Sequence, residues 1–168
     1  MAGQFFVVAL DPGADRSGFG CGVEPLDRYF KTQVGQDIKR RVTACFTALD
    51  ADRRVAGYYT LASASILLTD LAENLAKKLP RYPNVPAVRM GRLAVDQRYK
   101  GKGLGAALLA DALRRAATAE IAAYAFVVDA KDESAADFYA HHGFRATAEN
   151  PLFLYLPLAT VKELVNRS

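Results

Sequence analysis

The chain has little cysteine and no long apolar run, and both absences narrow the class of protein. Cys21 and Cys45 are the only cysteines among 168 residues, and neither belongs to a Cys-x-x-Cys pair. We therefore expect two reduced thiols and no metal site. No segment approaches the ~18 uninterrupted apolar residues of a membrane span, and the first residues lack the basic stretch of a signal peptide. These absences predict a cytoplasmic protein that makes no membrane contact.

The composition predicts one compact domain. Hydrophobic residues make up 51% of the chain, which is enough for one sizeable core over residues 1–168 and too little for two. The net charge is +4, and the basic residues occur in clusters. Each cluster taken alone is most simply a solvated surface, but a polyanionic ligand would also account for part of the positive charge.

A glycine-rich loop is the most informative motif. Residues 100–105 read Lys-Gly-Lys-Gly-Leu-Gly, between an apolar run that ends at Val95 and an alanine-rich segment. Alternating glycines permit positive φ angles and remove Cβ atoms that would keep a ligand from the backbone N–H groups. Such a loop before a helix N-terminus suits a phosphate.

Other readings of this loop differ in the spacing they need. A P-loop is excluded, because Ala106 and Ala107 follow the last glycine where Lys and then Ser or Thr are required. A dinucleotide-binding fingerprint needs Gly-x-Gly-x-x-Gly, whereas the glycines here run Gly-x-Gly-x-Gly. An ordinary glycine-rich helix start without a ligand is the remaining alternative.

The order of elements predicts a mixed α/β fold. Apolar periodicity and turn residues alternate between the two types of element. The predicted strands cover residues 42–48, 55–65, 88–95, 123–129 and parts of 144–156, and the predicted helices cover 24–39, 69–79, 104–118, 134–142 and 158–166. Hairpins occur together with crossovers, which argues against a purely doubly wound sheet. Residues 1–10 suit either an edge strand or an interface.

Two motifs together resemble the GNAT acetyltransferase superfamily. Residues 91–105, Gly-Arg-Leu-Ala-Val-Asp-Gln-Arg-Tyr-Lys-Gly-Lys-Gly-Leu-Gly, are similar to that family's acetyl-CoA-binding motif. Residues 135–144, which end in Gly-Phe, are similar to its second signature. The resemblance implies the GNAT acyl-CoA N-acyltransferase fold, a central and mostly antiparallel sheet with two splayed parallel strands.

The resemblance also implies how acetyl-CoA is bound. The backbone of Leu93 and Val95 would pair with the pantetheine amides like an added strand. The pyrophosphate would lie on the loop residues Lys100, Gly101, Lys102, Gly103, Leu104 and Gly105. Lys100 departs from the Gln or Arg that the family usually has at this position, so its side-chain contact is less well supported than the backbone contacts.

The implied chemistry is acyl transfer from a thioester to an amine. This reaction needs a neutral amine, hydrogen-bond donors for the carbonyl oxygen and a proton for the departing thiolate. Tyr139 occupies the family's position for the acid, and a phenol with an ordinary pKa near ~10 holds its proton at neutral pH; the alternative is a core tyrosine. No general base stands out, and we expect His141 and His142 to be structural. An α-amino group, with a pKa near ~7.7–8.0, needs no strong base.

Upstream residues resemble one branch of the superfamily. Phe19-Gly20-Cys21-Gly22, followed by Leu26-Asp27, is similar to the beginning of the GNAT-type toxins of bacterial toxin–antitoxin pairs. Membership implies acetylation of the α-amino group of aminoacyl-tRNA, a ribbon-helix-helix antitoxin, a homodimer and no DNA contact by this chain alone. Basic side chains would hold the RNA phosphates, and the candidates are Arg89, Arg92, Lys77, Lys78 and Arg81.

Two other functions fit the same motifs. A GNAT enzyme that modifies a small-molecule or protein amine would share the acetyl-CoA motif, because acceptors vary within one fold. A non-enzymatic acyl-CoA-binding module would keep the fold without the chemistry.

Overall fold

A computed structural model describes residues 5–167 of the chain, with side chains through residue 163. Within this range the elements follow one another in the order β1 (Phe6–Ala9), α1 (Glu24–Thr32), α2 (Val34–Lys39), β2 (Ala44–Leu49), β3 (Val55–Leu67), α3 (Glu73–Ala76), β4 (Asn84–Val95), α4 (Leu104–Thr118), β5 (Ala125–Asp129), α5 (Glu133–His141), β6 (Arg145–Ala146), β7 (Phe153–Pro157) and α6 (Leu158–Arg167). Short 3-10 turns occupy Leu68–Asp70 and Gln97–Tyr99.

The described strands form one mixed sheet in the order β1-β2-β3-β4-β5-β7-β6. β1 lies at one edge, antiparallel to β2, with Phe6 opposite Leu49. β5 and β7 are also antiparallel, with Val127 opposite Tyr155. β4 and β5 form a parallel pair connected through α4. This topology confirms the predicted mixed sheet, and it places residues 6–9 in an edge strand.

Contacts within the chain divide it into two compact units. The first unit is the chain through Ala62 together with Met90–Ala112, and the second is Ser63–Arg89 together with the chain from Leu113 onward. β3, β4 and α4 contribute residues to both units. The single domain that the composition predicts stays a prediction.

The core of the first unit is aromatic. Phe30 and Tyr58 stack with ring centroids 4.3 Å apart, and Phe19 meets Tyr58 edge-on at 5.6 Å. Cys21 and Cys45 are buried in this cluster as free thiols. Burial raises the pKa of Cys45 to about 12 and also raises the pKa of Cys21. Both sulfurs therefore stay protonated at neutral pH, where a thiol reacts slowly.

The core of the second unit surrounds β5. Ala125 and Val127 are buried together with Ile66 of β3 and Tyr155 of β7. The hydroxyl of Tyr155 accepts a hydrogen bond from the N–H of Ala72 at 2.9 Å. Because Ala72 directly precedes α3, this bond fixes the start of that helix on the core.

The segment 24–39 forms two helices, although its periodicity predicted one. The hydroxyl of Thr32 donates to the carbonyl of Arg28 at 2.7 Å, and Gln33 leaves the helical conformation with φ of −123°. Local side-chain bonds of this kind compete with helix continuation, and Gly35 lowers the helix propensity of the next turn. The chain therefore bends between α1 and α2.

Two further boundaries differ from the sequence prediction. The helix predicted for 69–79 is only one turn, Glu73–Ala76, and β4 begins at Asn84 rather than Val88. Proline lacks a backbone N–H, so the prolines before residue 88 indicated irregular structure. Pro86 nevertheless joins the strand, with its carbonyl accepting from the N–H of Tyr124 at 2.9 Å.

Helix α4 has the predicted bounds, because both its residue composition and the spacing of its apolar residues favour a helix. It is rich in alanine and leucine, which favour helix. Four of its buried side chains recur every four residues and form one apolar stripe with Leu109, and these four are Leu104, Leu108, Ala112 and Ala116.

Gly57 on β3 lies where only a glycine fits. A Cβ atom there would lie 2.9 Å from the carbonyl oxygen of Ala94 and 2.8 Å from Cδ1 of Leu108. The carbonyl belongs to the backbone and cannot move aside, so Gly57→Ala should lower the free energy of unfolding by about 1–3 kcal/mol. Urea denaturation measures this change. Gly18→Ala is the matched control, since nothing lies within 4 Å of its Cβ position. Equal effects of the two substitutions would contradict this packing.

Candidate active site

The glycine loop (residues 100–105) presents unpaired backbone N–H groups. Gly101 and Gly103 have φ angles of +78° and +79°, a conformation that side chains other than glycine rarely adopt. Within residues 5–167, the N–H groups of Leu104, Gly105 and Ala106 bond to no protein acceptor. The first turn of α4 contains no acidic residue, so nothing in that turn neutralises the positive helix end.

The surroundings of the glycine loop leave room for a ligand. A Cβ atom added at Gly101 or Gly103 would meet nothing within 4 Å. Lys100 and Lys102 are exposed beside these positions. A pyrophosphate carries the delocalised negative charge that such donors bind, so the residues present fit coenzyme A.

A buried carboxylate anchors the beginning of this loop. Asp96 directly follows β4 and is 2% exposed. Its oxygens accept from the N–H of Gly20 at 3.0 Å, from the N–H of Arg98 at 2.9 Å and from the Arg98 guanidinium at 2.9 and 3.2 Å. Burial raises the pKa of Asp96, but the hydrogen bonds from Arg98 and Gly20 outweigh it and hold the pKa below its ordinary value. Asp96 is therefore ionised at neutral pH.

The Cys-Gly segment is bonded to the glycine loop. Lys100 Nζ donates to the carbonyl of Cys21 at 2.6 Å, and the N–H of Gln97 donates to the carbonyl of Gly20 at 2.9 Å. The ammonium group of Lys100 is thus held by the carbonyl of Cys21. This contact gives Lys100 a positioning role that its unusual identity at this site did not indicate.

Gly22 and Asp27 shape the turn that leads into α1. Gly22 has φ of +89°, and a Cβ atom there would lie 2.5 Å from the side-chain amide of Gln97. Asp27 accepts a hydrogen bond from the N–H of Cys21 at 2.9 Å. The Cys-Gly and Leu-Asp residues that carried the toxin resemblance therefore hold this turn against the segment before the glycine loop.

The turn between β2 and β3 provides another anchor. The hydroxyl of Tyr99 donates to the carboxylate of Asp50, and this bond lowers the pKa of Asp50. Asp50 also accepts from the N–H groups of Asp52 and Arg54, each at 2.9 Å. The ring of Phe5 packs edge-on against Tyr99 at 5.4 Å. Tyr99, which precedes the glycine loop, is therefore fixed by a hydrogen bond to a carboxylate and by ring packing.

Tyr139 lies in the second unit, in the last turn of α5. Its ring packs against Phe144 at 5.5 Å and Phe138 at 5.3 Å. Tyr139 is 9% exposed, and burial raises its pKa to about 12. The phenol therefore keeps its proton throughout the neutral range, as a proton donor requires.

The Gly-Phe signature explains how Tyr139 is held. Gly143 has φ of +94° and ends α5, and the N–H of Phe144 returns to the carbonyl of Tyr139 at 3.2 Å. This glycine cap turns the chain so that Phe144 is buried against the tyrosine ring. His142 bonds through Nδ1 to the carbonyl of Phe138 at 2.8 Å, while His141 is exposed.

The five candidates for RNA contact have different surroundings. In the first unit, the guanidinium carbon of Arg92 lies 3.4 Å from the ring centroid of Tyr29, a cation–π contact. In the second unit, Arg89 forms an ion pair with Asp129, and both side chains are about half exposed, so the pair adds little stability. Exposed positions follow α3 at Lys77, Lys78 and Arg81. Their roles with RNA stay predictions.

Sequence reasoning missed the residues that support the glycine loop. An acidic residue between an apolar strand and a glycine-rich loop is a local signal that could have indicated Asp96. No local signal indicates that Gln97 covers Gly22, because the two residues are far apart in the sequence. The described residues contain no cluster of three His, Cys, Asp or Glu that could hold a metal ion. No helix within residues 5–167 has the length and apolar character for crossing a bilayer.

The chain belongs to the GNAT acetyltransferase family. The family model described as Acetyltransferase (GNAT) domain matches residues 22–154, a range that includes the glycine loop and Tyr139. Probable toxin TacT of Sinorhizobium fredii (strain NBRC 101917 / NGR234) is 30% identical over 175 residues, covering 98% of this chain and 97% of TacT. The tRNA-acetylating toxin of Mycobacterium tuberculosis (strain ATCC 25618 / H37Rv) is 33% identical over 167 residues, covering 98% and 99%.

Solved structures of related toxins share the fold. A tyrosine-to-phenylalanine mutant of KacT is 29% identical, with a TM-score of 0.90 over 96% of this chain and 99% of KacT. AtaT complexed with acetyl-methionyl-tRNA is 30% identical, with a TM-score of 0.88 and the same coverage. A mutant AtaT toxin bound to the C-terminus of the antitoxin AtaR and acetyl-CoA is 26% identical, with a TM-score of 0.79 over 96% and 98%. A KacTA–DNA complex is 27% identical, with a TM-score of 0.81 over 98% and 100%.

Asp96→Asn tests the anchor of the glycine loop. The amide keeps the shape but loses the charge that faces Arg98, so the free energy of unfolding at pH 7 should fall by about 1–3 kcal/mol. The folded-state pKa of Asp96 lies below the unfolded value near ~3.9. Its stabilisation is therefore complete above about pH 5 and is lost as the pH falls through the folded-state pKa.

Urea denaturation at several pH values measures both effects. The Asp96→Asn variant should lose less stability than the wild type on acidification, because the titrating carboxylate is gone. Asp52→Asn, at an exposed position of the β2–β3 turn, is the control and should behave like the wild type. A variant at Asp96 with unchanged stability and unchanged pH dependence would show that this carboxylate is not an anchor.

Proposed function

We propose that this chain transfers the acetyl group of acetyl-CoA to the α-amino group of an aminoacyl-tRNA and thereby acts as the toxin of a toxin–antitoxin pair. The observation that carries the proposal is the nearly full-length likeness to AtaT, which was solved with acetyl-methionyl-tRNA. The relative named tRNA-acetylating toxin supports the same acceptor.

In this proposal the glycine loop binds the pyrophosphate of acetyl-CoA. The unpaired N–H groups of residues 104–106 and the open space beside Gly101 and Gly103 support this role. Leu104 contributes through its backbone, since its side chain is buried. Lys102 adds an exposed positive charge, and Lys100 holds the loop through Cys21. Acetyl-CoA, when bound, supplies the activated acetyl thioester.

The backbone of β4 supports the proposed pairing with pantetheine. The N–H of Asp96 donates to the carbonyl of Ala56 on β3 at 2.8 Å. Successive N–H groups along an extended chain point in opposite directions. Val95 therefore directs its N–H away from β3, and Leu93 shares that direction. The proposal requires that these groups pair with the pantetheine amides and not with β5, the next strand in the sheet order.

Tyr139 is the proposed acid. Its raised pKa keeps the hydroxyl protonated, and the rings of Phe138 and Phe144 restrict its orientation. The proton at this hydroxyl can be donated to the departing sulfur. The α-amino group of an aminoacyl ester is already partly neutral at physiological pH, so the proposal assigns no base to His141 or His142.

The partners follow from the same proposal. The complex of AtaT with the antitoxin AtaR supports an antitoxin for this chain, which we propose to be of the ribbon-helix-helix type. We further propose a cytoplasmic homodimer that contacts DNA only together with its antitoxin, which the AtaT–AtaR complex bound to DNA supports. Arg89, Lys77, Lys78 and Arg81 stay the proposed RNA contacts of the second unit, whereas the packing of Arg92 on Tyr29 supports a role in positioning α1.

Tyr139→Phe tests both the activity and the acid. Labelled acetyl-CoA is incubated with bulk charged tRNA, with uncharged tRNA and with a panel of free amines and polyamines. The wild type should label only charged tRNA, and the variant should be roughly 10²–10⁴-fold slower because it lacks the donated proton. Acetyl-CoA binding and thermal stability should be retained.

Tyr82→Phe is the matched control for this experiment. Tyr82 is 71% exposed, so the loss of its hydroxyl should leave the rate unchanged. Label on a free amine alone would replace the tRNA acceptor by a small amine within the same family. A wild type that binds acetyl-CoA and labels none of the acceptors would favour the non-enzymatic alternative.

The pH dependence of acetyl transfer follows from the ionisation of the acceptor α-amine and of Tyr139. The rate should rise with pH through the α-amine pKa near ~7.7–8.0, because only the neutral amine attacks. It should not fall again below about pH 10, because Tyr139 donates a proton whenever the pH is below its pKa of about 12. Initial rates at subsaturating charged tRNA, corrected for ester hydrolysis, measure this profile. A falling limb between pH 8 and pH 9, absent from a substrate-stability control, would exclude Tyr139 as the acid.

A further inference from the structure

A cavity of about 330 Å³ in the first unit has four arginines among its nine lining residues. We term it the arginine cavity, and its lining residues are Asp15, Arg16, Ser17, Gly18, Phe19, Arg53, Arg54, Val55 and Arg98. Four arginines face one carboxylate in this set, and lysine is absent from it. We propose that the arginine cavity binds a backbone phosphate of the tRNA substrate, a proposal that rests on the proposed function.

Two of the four arginines are held in place by the protein. Arg16 donates through Nε to the carbonyl of Phe30 at 2.7 Å and through Nη1 to the carbonyl of Pro12 at 2.9 Å. Arg98 is fixed by the carboxylate of Asp96 through Nε and Nη2, and its side chain is still 48% exposed. Arginines that are oriented before the ligand arrives lose less conformational entropy on binding.

The other two arginines lie on the tight turn between β2 and β3. Arg53 adopts φ of +64°, and the N–H of Arg54 is bonded to Asp50. Both side chains are exposed, and among the described residues neither guanidinium group forms an ion pair. The turn therefore presents two exposed guanidinium groups on a fixed backbone, and the Asp50 carboxylate offsets part of the charge of Arg54.

The acidic residues nearby leave an excess of positive charge. The carboxylate of Asp15 accepts from the hydroxyl of Ser17 at 2.7 Å and from its N–H at 2.9 Å, and these bonds lower the pKa of Asp15. Asp50 on the β2–β3 turn also has a lowered pKa, and its charge acts on Arg54 and Arg98. Asp15, Asp50 and Asp96 are thus all ionised, and they balance three of the four arginines. The remaining charge attracts an anion from solution.

The chemistry of the lining selects phosphate. The planar guanidinium group matches phosphate oxygens with two parallel hydrogen bonds, and a cavity of this volume has room for a phosphate with its neighbouring sugar. The pyrophosphate of acetyl-CoA is assigned to the glycine loop, to which the arginine cavity is joined by the turn Gln97–Tyr99. The tRNA carries a phosphate at every nucleotide, so it is the polyanion that would use the arginine cavity as a second phosphate site.

The experiment compares two double substitutions that remove the same charge. Arg53→Gln with Arg54→Gln changes the arginine cavity, and Arg40→Gln with Arg41→Gln changes an exposed pair at the end of α2 that does not line it. Binding of deacylated tRNA is measured with the full chain at about 50 and 200 mM salt. Michaelis constants for charged tRNA and for acetyl-CoA are measured in parallel.

The cavity variant should bind deacylated tRNA roughly tenfold more weakly at low salt, with a salt slope reduced by about 0.7–0.9, because one phosphate contact is lost. Its Michaelis constant for charged tRNA should rise, while that for acetyl-CoA stays at the wild-type value. The control pair should change each quantity little. Both variants should unfold at the wild-type urea concentration, which shows that the turn is intact.

Four results would overturn the inference. These are unchanged tRNA binding by the cavity variant, equal losses in both variants, a wild type that binds no deacylated tRNA, and a raised Michaelis constant for acetyl-CoA alone. The last result would assign the site to the 3′-phosphate of the acyl donor, which dephospho-coenzyme A would verify. A wild type that binds tRNA but does not acetylate charged tRNA would instead contradict the proposed function and leave the phosphate site standing.

Discussion

The structure of the first unit depends on one buried and ionised carboxylate. Asp96 lies between the end of β4 and the glycine loop, and its oxygens bond to Gly20 and Arg98. A buried carboxylate is costly unless it is hydrogen-bonded and paired, so this arrangement specifies its neighbours strongly. The same group thereby orders the Cys-Gly segment, the glycine loop and one wall of the arginine cavity.

Much of the fold could be predicted, because in the correctly predicted elements the residue composition and the spacing of apolar residues indicate the same type of element. In α4 the residue composition and the four-residue spacing of Leu104, Leu108 and Ala112 give the same result. The supports of the candidate site could not be predicted, since the bonds between Gly20 and Asp96 and between Cys21 and Lys100 join segments far apart in the sequence. Motif spacing identifies which residues resemble a site, whereas the contacts that hold them depend on the assembled sheet.

The proposed chemistry divides the work of proton transfer between protein and substrate. Burial of Tyr139 against two phenylalanines raises its pKa, which secures a proton donor but cannot supply a base. An acceptor that is weakly basic removes the need for one. A site of this kind favours α-amines over lysine side chains, whose pKa near ~10.4 leaves few neutral molecules at physiological pH. The preference for one acceptor amine over another then depends partly on the pKa of the amine and not only on the shape of the site.

The two cysteines can serve as probes of local opening, whatever the activity of the protein. Both belong to the aromatic core of the first unit, and the described part of the second unit contains no other. A thiol reagent can reach them only when that core opens, because a buried protonated sulfur is unreactive. The rate of thiol labelling under native conditions therefore reports local opening of the first unit separately from the rest of the chain. The rate of thiol labelling thus measures the local stability of the part of the chain that would bind acetyl-CoA.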